Sequence, residues 1–243
     1  MYLLLILFSA QNVACDKTLK VGVGQPWPPF VVINNNNFSG IDIEITRQVL
    51  DEAGFCAEFI ALPSSIRGLA ELEKGNVDVL PAASFNKQRA QYSHFSLAYR
   101  QERMRLFWYE DSELSGLDLA SLMSIKKTFV INSGGYYGEE FEQLSNLARY
   151  HELIVRVKMI NQRLYMLRAK RVDFMIDDEL SGLYMIAKEQ IKDITLHPYV
   201  VHDNPIHFMY SNKTVSTAQS QKIDDAIVKL QGEISRIVSD YTH

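Results

Sequence analysis

The sequence predicts an α/β protein with two similar lobes, each a mainly parallel sheet flanked by helices. Short apolar segments with strand period alternate with longer segments of helical period, which is the pattern of βαβ units. The apolar positions of one helix-to-strand segment also recur later in the chain at one constant spacing, which indicates the two lobes. The two copies are Leu69, Leu72, Val77 and Asp78, and Leu164, Leu167, Val172 and Asp173.

The composition excludes several classes of protein. The chain has 243 residues and a net charge of −4, so it lacks the basic surface of a nucleic-acid-binding protein, and we expect no nucleic-acid partner. Its 47% of hydrophobic residues is enough to bury a sizeable core. The two cysteines, Cys15 and Cys56, are too few for a disulfide framework or a four-thiolate zinc site.

The first residues predict an export leader. Residues 1–8 form an apolar run that is far shorter than the ~20 residues of a membrane-spanning helix. Its length fits the hydrophobic region of a secretory signal, and small residues follow it. No Lys or Arg precedes Lys17, and a buried first strand is the alternative. We interpret residues 1–15 as the leader and expect the mature protein in the periplasm.

The end of this leader allows two forms of the mature protein. Ala14 followed by Cys15 is the junction of a lipoprotein cleavage site, although Asn12 stands where an aliphatic residue is usual. The mature chain is therefore expected to start near Cys15 or Asp16, either free or lipid-anchored through Cys15.

The first predicted elements are a strand, a proline loop and a helix. Residues 19–23 alternate with period two and predict a strand. Gln25-Pro-Trp-Pro-Pro-Phe30 is predicted as a loop because its three prolines fit neither a sheet nor a helix, and Trp27 on this loop is a candidate ligand-stacking residue. One face of the following helix carries Ile41, Ile45, Val49 and Ala53, and Gly54 ends it.

The next elements complete the βαβ pattern. Residues 56–62 predict a second strand and residues 77–80 a third, and between them Ser65 is expected to cap a helix that Gly75 ends. Near the end of the chain, apolar residues spaced alternately four and three apart predict one long amphipathic helix outside a lobe. These residues are Ile223, Ile227, Leu230, Ile234, Ile237 and Tyr241.

The sequence carries no motif of catalysis or of nucleotide binding. Two histidines that lie five residues apart, His202 and His207, are interpreted as ordinary surface or hydrogen-bonding residues rather than a metal site. We therefore expect no enzyme activity, no cofactor and no metal.

Seven short motifs follow one another along nearly all of the chain after the leader. They are Gln25-Pro-Trp-Pro-Pro-Phe30, Gly40-Ile-Asp-Ile-Glu44, Leu72-Glu-Lys-Gly-Asn-Val-Asp78, Ser84-Phe-Asn-Lys-Gln-Arg89, Phe95-Ser-Leu-Ala-Tyr99, Val130-Ile-Asn-Ser-Gly134 and Val172-Asp-Phe-Met-Ile-Asp-Asp-Glu179. Their order resembles that of family 3 extracytoplasmic solute-binding proteins, the amino-acid-binding components of ABC importers. The resemblance implies a two-lobed, hinged periplasmic-binding-protein fold of type II, with the ligand in the cleft between the lobes.

The resemblance also implies where the lobes divide. Lobe 1 is discontinuous and consists of residues 16–101 and 204–243, whereas lobe 2 is residues 102–203. The two connections, near residues 101–103 and 203–206, are the expected hinge.

The resemblance implies ligand contacts at the matching positions. Arg89 matches the arginine that binds the ligand α-carboxylate, which a planar guanidinium does with two parallel hydrogen bonds. Ser84 matches the residue that completes this carboxylate site, and Asp178 matches the acid that receives the ligand ammonium from the opposite lobe. Gly135 and Tyr136 stand where the family usually has two threonines, so Gly135 keeps the amide donor and Tyr136 brings a ring to the cleft.

The predicted function is the capture of a small zwitterionic solute, an amino acid or a relative, for import through an ABC-type membrane permease. The family often has an aromatic residue near position 65, and this chain has serine there, so the sequence does not predict which side chain the ligand carries. The alternative is a free-standing sensor that passes its binding state to a membrane signalling partner. Some proteins with this fold are enzymes whose cleft residues carry out catalysis, but nothing in this sequence favours an enzyme. We expect the protein to be a monomer.

Overall fold

The computed structural model describes residues 15–35 and 37–241. The predicted leader therefore lies outside the described residues, apart from Cys15. In the part of the chain that the structure describes, none of the helices combines the length and the apolar character needed to cross a membrane.

The described chain forms ten strands and eight α-helices that alternate much as the sequence pattern predicts. The strands are β1 (Lys17–Val23), β2 (Val32–Asn34), β3 (Asn37–Ser39), β4 (Phe55–Ala61), β5 (Val79–Ser84), β6 (Ser93–Trp108), β7 (Phe129–Ile131), β8 (Ile154–Arg156), β9 (Phe174–Asp178) and β10 (Thr195–Ser211). The helices are α1 (Ile41–Glu52), α2 (Ser65–Lys74), α3 (Leu119–Ser124), α4 (Glu139–Ser145), α5 (Ile160–Arg168), α6 (Glu179–Lys188), α7 (Thr217–Lys229) and α8 (Gln231–Asp240).

Eight of the strands form one sheet in the order β4-β1-β5-β10-β6-β9-β7-β8. At one end β1 is parallel to β4 and β5, and at the other β7 is parallel to β8 and β9. The long antiparallel strands β6 and β10 lie between these two parallel sets and pair with each other. This arrangement confirms the predicted α/β fold, because each lobe holds a parallel set and β6 and β10 connect the lobes.

Apolar side chains form separate cores on the two sides of this connection. The core of lobe 1 includes the predicted face of α1, where Ile41, Ile45 and Val49 are fully buried, together with residues of β1, α7 and α8. The cores of lobe 2 contain residues of β7, β9 and the second half of β6. The half-buried ring of Trp27 packs against a core of each lobe, so the proline loop lies where the lobes meet.

Two details of the helices differ from the sequence expectations. The cap of α2 is Ser64, whose hydroxyl accepts from the Arg67 amide, and Ser65 is the first residue of the helix. The C-terminal segment is not one helix but two, because the backbone at Leu230 leaves the helical conformation between α7 and α8. The apolar spacing continues through Leu230 because both helices pack on the same core.

Cys15 and Cys56 form a disulfide that ties the start of the described chain to β4. Two cysteines are too few for a framework, but they form one bridge across a separation of 41 residues. A sulfur in a disulfide cannot also carry the thioether of a lipid, so the bridge favours the free form of the two expected mature forms over the lipid-anchored one. The end of the leader stays a prediction, and a mature chain with this bridge begins no later than Cys15. Such bridges persist in oxidising compartments, which fits an extracytoplasmic protein.

Candidate functional site

A cavity of about 140 Å³ lies between the two lobes. Its walls come from the carboxyl ends of strands in both lobes, which is the usual position for ligands in open α/β sheets. Lobe 1 contributes the ends of β1 and β5 and the start of α2, and lobe 2 contributes the segment after β7 and the end of β9. The polar and aromatic residues of the lining are Gln25, Trp27, Ser65, Ser84, Arg89, Glu102, Asn132, Tyr136, Tyr137, Arg163 and Asp177.

The guanidinium of Arg89 faces this cavity without an acidic partner. Its Nη1 donates to the Ser84 carbonyl at 3.0 Å, and its Nη2 donates to the Gly134 carbonyl of the opposite lobe at 3.2 Å. Among the described residues no carboxylate lies within 4.0 Å of it. Burial lowers the pKa of Arg89, but an arginine stays charged in proteins. The side chain therefore offers a positive charge and unused N–H donors to an anion.

Ser84 connects Arg89 to a second charged group, Glu102. The Ser84 hydroxyl donates to Glu102 Oε2 at 3.2 Å, while its carbonyl holds Arg89. Glu102 is only 3% exposed, and burial raises the pKa of its carboxyl to about 8, against the opposing effect of nearby Arg100. The cavity thus has a guanidinium and a carboxyl that contact the same serine.

Sequence reasoning missed Glu102, although a signal for it exists. Glu102 shares the inward face of β6 with Met104 and Leu106, because residues of a strand alternate between its two faces. The same alternation places Arg100 on this face, and a charged residue on an inward face indicates either a buried ion pair, as Arg100 forms with Asp42, or a site.

On the side of lobe 2, the cavity is lined by a buried ion pair. The Arg163 guanidinium binds the Asp177 carboxylate and also donates to the carbonyls of Val157 and Lys158. Across the cavity, Trp27 Nε1 donates to Asp177 Oδ1 at 2.8 Å. Asp177 is therefore already neutralised by Arg163 and hydrogen-bonded to the opposite lobe.

Asp178, predicted to receive the ligand ammonium, is not part of the cavity lining. Its carboxylate caps α6 by accepting from the amides of Leu180 and Ser181 at 2.9 and 3.2 Å, and it also accepts from the Arg103 amide at 3.3 Å. Burial raises the pKa of Asp178 to about 6. Neighbouring side chains on a strand point to opposite faces, so it is Asp177 that reaches the cavity.

The other five predicted residues, Trp27, Ser84, Arg89, Gly135 and Tyr136, all line the cavity. The Tyr136 ring meets His202 edge to face at 5.4 Å between centroids, and burial raises the pKa of its hydroxyl. Burial also lowers the pKa of His202. Tyr136 therefore forms part of the aromatic wall of lobe 2.

The lobes are in direct contact around the cavity. Gln25 Nε2 donates to Asn132 Oδ1 at 3.0 Å, and Ser181 Oγ donates to the Pro28 carbonyl at 2.6 Å. Gly134 has a φ of +93°, and a Cβ there would lie 2.7 Å from Ile66 Cγ1 across the cleft. A side chain at position 134 would therefore hold the lobes apart.

Comparisons with known proteins bear on the family and the fold of the chain. Residues 19–242 match the family model described as bacterial extracellular solute-binding proteins, family 3. No curated protein matches the chain in sequence.

Several solved structures have the same fold. An arginine transport-system periplasmic binding protein from Legionella pneumophila is 20% identical, with a TM-score of 0.77 over 92% of this chain and 99% of that one. The arginine-, lysine-, histidine-binding protein ArtJ from Geobacillus stearothermophilus is 16% identical, with a TM-score of 0.76 over 92% and 94%. A histidine kinase sensor domain similar to periplasmic binding proteins is 19% identical, with a TM-score of 0.77 over 92% and 95%. At these sequence identities, the similarity of the three structures to this chain is a similarity of fold.

Proposed function

Since the chain belongs to the family 3 bacterial extracellular solute-binding proteins, we propose that it captures a small zwitterionic solute, an amino acid or a relative, between its lobes. The observation that carries the proposal is Arg89, a guanidinium that faces the cavity between the lobes and has no acidic partner among the described residues. A carboxylate is the natural occupant of such a site, because it accepts two parallel charge-assisted hydrogen bonds.

The size of the cavity supports a compact solute. A volume of about 140 Å³ is close to that of a cavity that accommodates benzene, so it suits a molecule of amino-acid size rather than a peptide. Gln25, Ser65 and Asn132 form a polar wall where family members often have an aromatic residue. This wall favours a short or polar side chain on the solute.

The proposal includes closure of the lobes on the solute. Lobe 1 is residues 16–101 and 204–243, lobe 2 is residues 102–203, and bending occurs near residues 101–103 and 203–206. These segments pair with each other in β6 and β10, between the separate cores of the lobes. A solute that contacts both lobes binds the closed form better than the open one and shifts the population towards it.

The closed, loaded protein then delivers the solute to an ABC-type membrane permease. The arginine transport-system periplasmic binding protein among the structural neighbours supports this use. The neighbouring histidine kinase sensor domain supports the second candidate, a free-standing sensor that reports its binding state to a membrane partner. Deleting the gene separates the two: a transport receptor is needed for uptake of the labelled solute, whereas a sensor is needed for the response to it but not for uptake.

A thermal-shift screen against the common amino acids and γ-aminobutyrate, followed by calorimetry, tests solute capture. At least one of these zwitterions is expected to stabilise the protein and to bind it with one site per chain. Arg89→Ala should weaken that binding by about 30-fold or more, because the loss of one partner of a desolvated charge pair costs about 2 kcal/mol or more.

Arg236→Ala is the matched control for this experiment. Arg236 is an exposed arginine on α8 whose ion pairs lie within that helix, so its loss should leave the affinity unchanged. Equal affinity in the wild type and in Arg89→Ala would contradict the assignment of Arg89. A wild-type protein that none of the zwitterions stabilises would contradict the proposed function itself.

A further inference from the structure

Glu102 is a buried acid of the cavity to which the proposed function gives no role. It lines the cavity, it is 3% exposed, and it lies on β6 where the two lobes connect. The Ser84 hydroxyl donates to Oε2, and among the described residues this is the one hydrogen bond of the carboxyl group. Oε1 is left without a partner at the wall of the cavity. A buried carboxylate of this kind is costly unless a cation or several donors approach it.

Two cations of this region, Arg100 and Arg163, are paired with other acids, and the third, Arg89, does not contact Glu102 directly. Arg100 donates two hydrogen bonds of 2.8 Å to the buried Asp42, and Arg163 is paired with Asp177. Arg89 is separated from Glu102 by Ser84. The remaining titratable groups near it are acids or neutral at pH 7 and therefore cannot neutralise it. They are Asp42, Asp178 and Tyr137.

The other acids of this region are less suited to bind a cation from the solute. Asp177 already binds Arg163 and accepts from Trp27. Asp178 accepts three backbone N–H groups and lies outside the cavity lining. Among the described residues, Glu102 is the carboxyl in the cavity that has no ion-pair partner within 4.0 Å and still has free acceptor sites.

We propose that Glu102 receives the cationic group of the solute while Arg89 binds its carboxylate, with Ser84 between the two. This inference rests on the proposed function and specifies the class of solute. Since Glu102 and Arg89 contact the same serine, the two charges of the solute must be close together, as in a compact α- or β-amino acid. The two charges are then held at the junction of the lobes, by Arg89 of lobe 1 and by Glu102 at the start of lobe 2, and Asp177 and Tyr136 of lobe 2 close over them.

One consequence is that binding releases a proton. Burial raises the pKa of Glu102 to about 8 in the empty cavity, so the group is largely protonated at pH 6 to 7. An arriving ammonium favours the charged carboxylate and lowers this pKa. The affinity for the solute should therefore rise with pH up to about 8, by as much as about tenfold per pH unit.

The test combines a charge-removing variant with a change in the solute. The probe is the amino acid that binds most tightly in the thermal-shift screen, compared with its hydroxy-acid analogue, as L-lactate is for L-alanine. Glu102→Gln keeps the size of the side chain and an acceptor for Ser84 but removes the charge. Glu58→Gln, which removes an exposed carboxylate on β4, is the matched control.

The wild type and Glu58→Gln are expected to bind the amino acid at least about tenfold more tightly than the hydroxy acid at pH 8, and Glu102→Gln is expected to lose this preference. Calorimetry in buffers of different ionisation enthalpy should detect proton release by the wild type near pH 7. This measurement needs no variant, so it stands if Glu102→Gln does not fold.

Three results overturn the inference. Equal loss of affinity for both probes in Glu102→Gln means that Glu102 has a structural role. An unchanged preference for the amino acid in that variant means that another group binds the ammonium. Binding by the wild type without release of a proton means that Glu102 is not charged by the solute. If Arg89→Ala still loses binding in these cases, the proposed function stands without Glu102.

Discussion

Trp27 Nε1 donates a 2.8 Å hydrogen bond to Asp177 Oδ1, which joins the proline loop of lobe 1 to the end of β9 in lobe 2. Asp177 is held in place by Arg163, and the Trp27 ring packs against a core of each lobe. The contact therefore depends on the closeness of the two lobes, and it makes Asp177, the neighbour of the family acid Asp178, a latch between them.

The first prediction concerns this latch. Trp27→Phe keeps most of the apolar ring but removes the N–H donor, so the closed form should lose a hydrogen bond to a charged group, worth about 1.5–3 kcal/mol. Small-angle scattering without added solute should show a larger radius of gyration than the wild type, and solute binding should weaken by about tenfold or more.

Trp108→Phe is the control for that variant, because Trp108 Nε1 is buried without an acceptor among the described residues. It should leave the radius of gyration unchanged. If Trp27→Phe scatters like the wild type at every solute concentration, the latch does not govern closure.

The second prediction concerns Asp178. Its carboxylate caps α6, so Asp178→Ala should lower the free energy of unfolding by about 1 kcal/mol, whereas Asp178→Asn, which keeps a capping oxygen, should lose much less. Because the side chain lies outside the cavity lining, Asp178→Asn should bind the screened amino acid within about threefold of the wild type. Denaturant titration and calorimetry measure the two quantities. Abolished binding in Asp178→Asn would restore the role that the family resemblance implies.

The third prediction concerns the disulfide. Closing a separation of 41 residues stabilises the protein by about 4 kcal/mol in the chain-entropy description, so replacing Cys15 and Cys56 by serine should lower the unfolding midpoint markedly. Solute affinity should not change, because neither cysteine lines the cavity. Intact-mass measurement of protein from the native host should find Cys15 retained, oxidised and free of lipid. A diacylglycerol adduct on Cys15 would refute this.

The fourth prediction concerns pH. The folded-state pKa values of Glu102 and Asp178 are raised to about 8 and about 6, so the folded protein binds more protons than the unfolded chain above pH 4.5. The stability of the solute-free protein should therefore fall as the pH rises from about 5 to 8, by at most about 1.4 kcal/mol per pH unit from Glu102. Chemical denaturation across this range measures the slope. Glu102→Gln should flatten the part between pH 6 and 8, and an identical slope in that variant would count against a buried, protonated Glu102.

Much of the fold follows from patterns that the sequence displays directly. The buried face of α1 and the left-handed Gly75 at the end of α2 are local features, and local patterns predict them well. Arg89 and Ser84 follow from the family motif around them, and the structure places both at the cavity.

The residues that the sequence did not predict depend on contacts between distant segments. The pairing of Cys15 with Cys56 requires β1 and β4 to lie side by side. The motif at the end of β9 contains two adjacent aspartates, and the strand face that reaches the cavity decides between Asp177 and Asp178. Glu102 becomes a cavity residue because β6 presents it beside Ser84 at the end of β5. These relations are set by packing rather than by spacing along the chain.

A crystal structure of the protein with the amino acid that binds most tightly in the thermal-shift screen tests the central claim most directly. We predict one solute molecule in the interlobe cavity, its carboxylate within hydrogen-bond distance of Arg89 and its ammonium facing Glu102. A solute bound elsewhere, or a cavity that stays empty at saturating solute, would contradict the account.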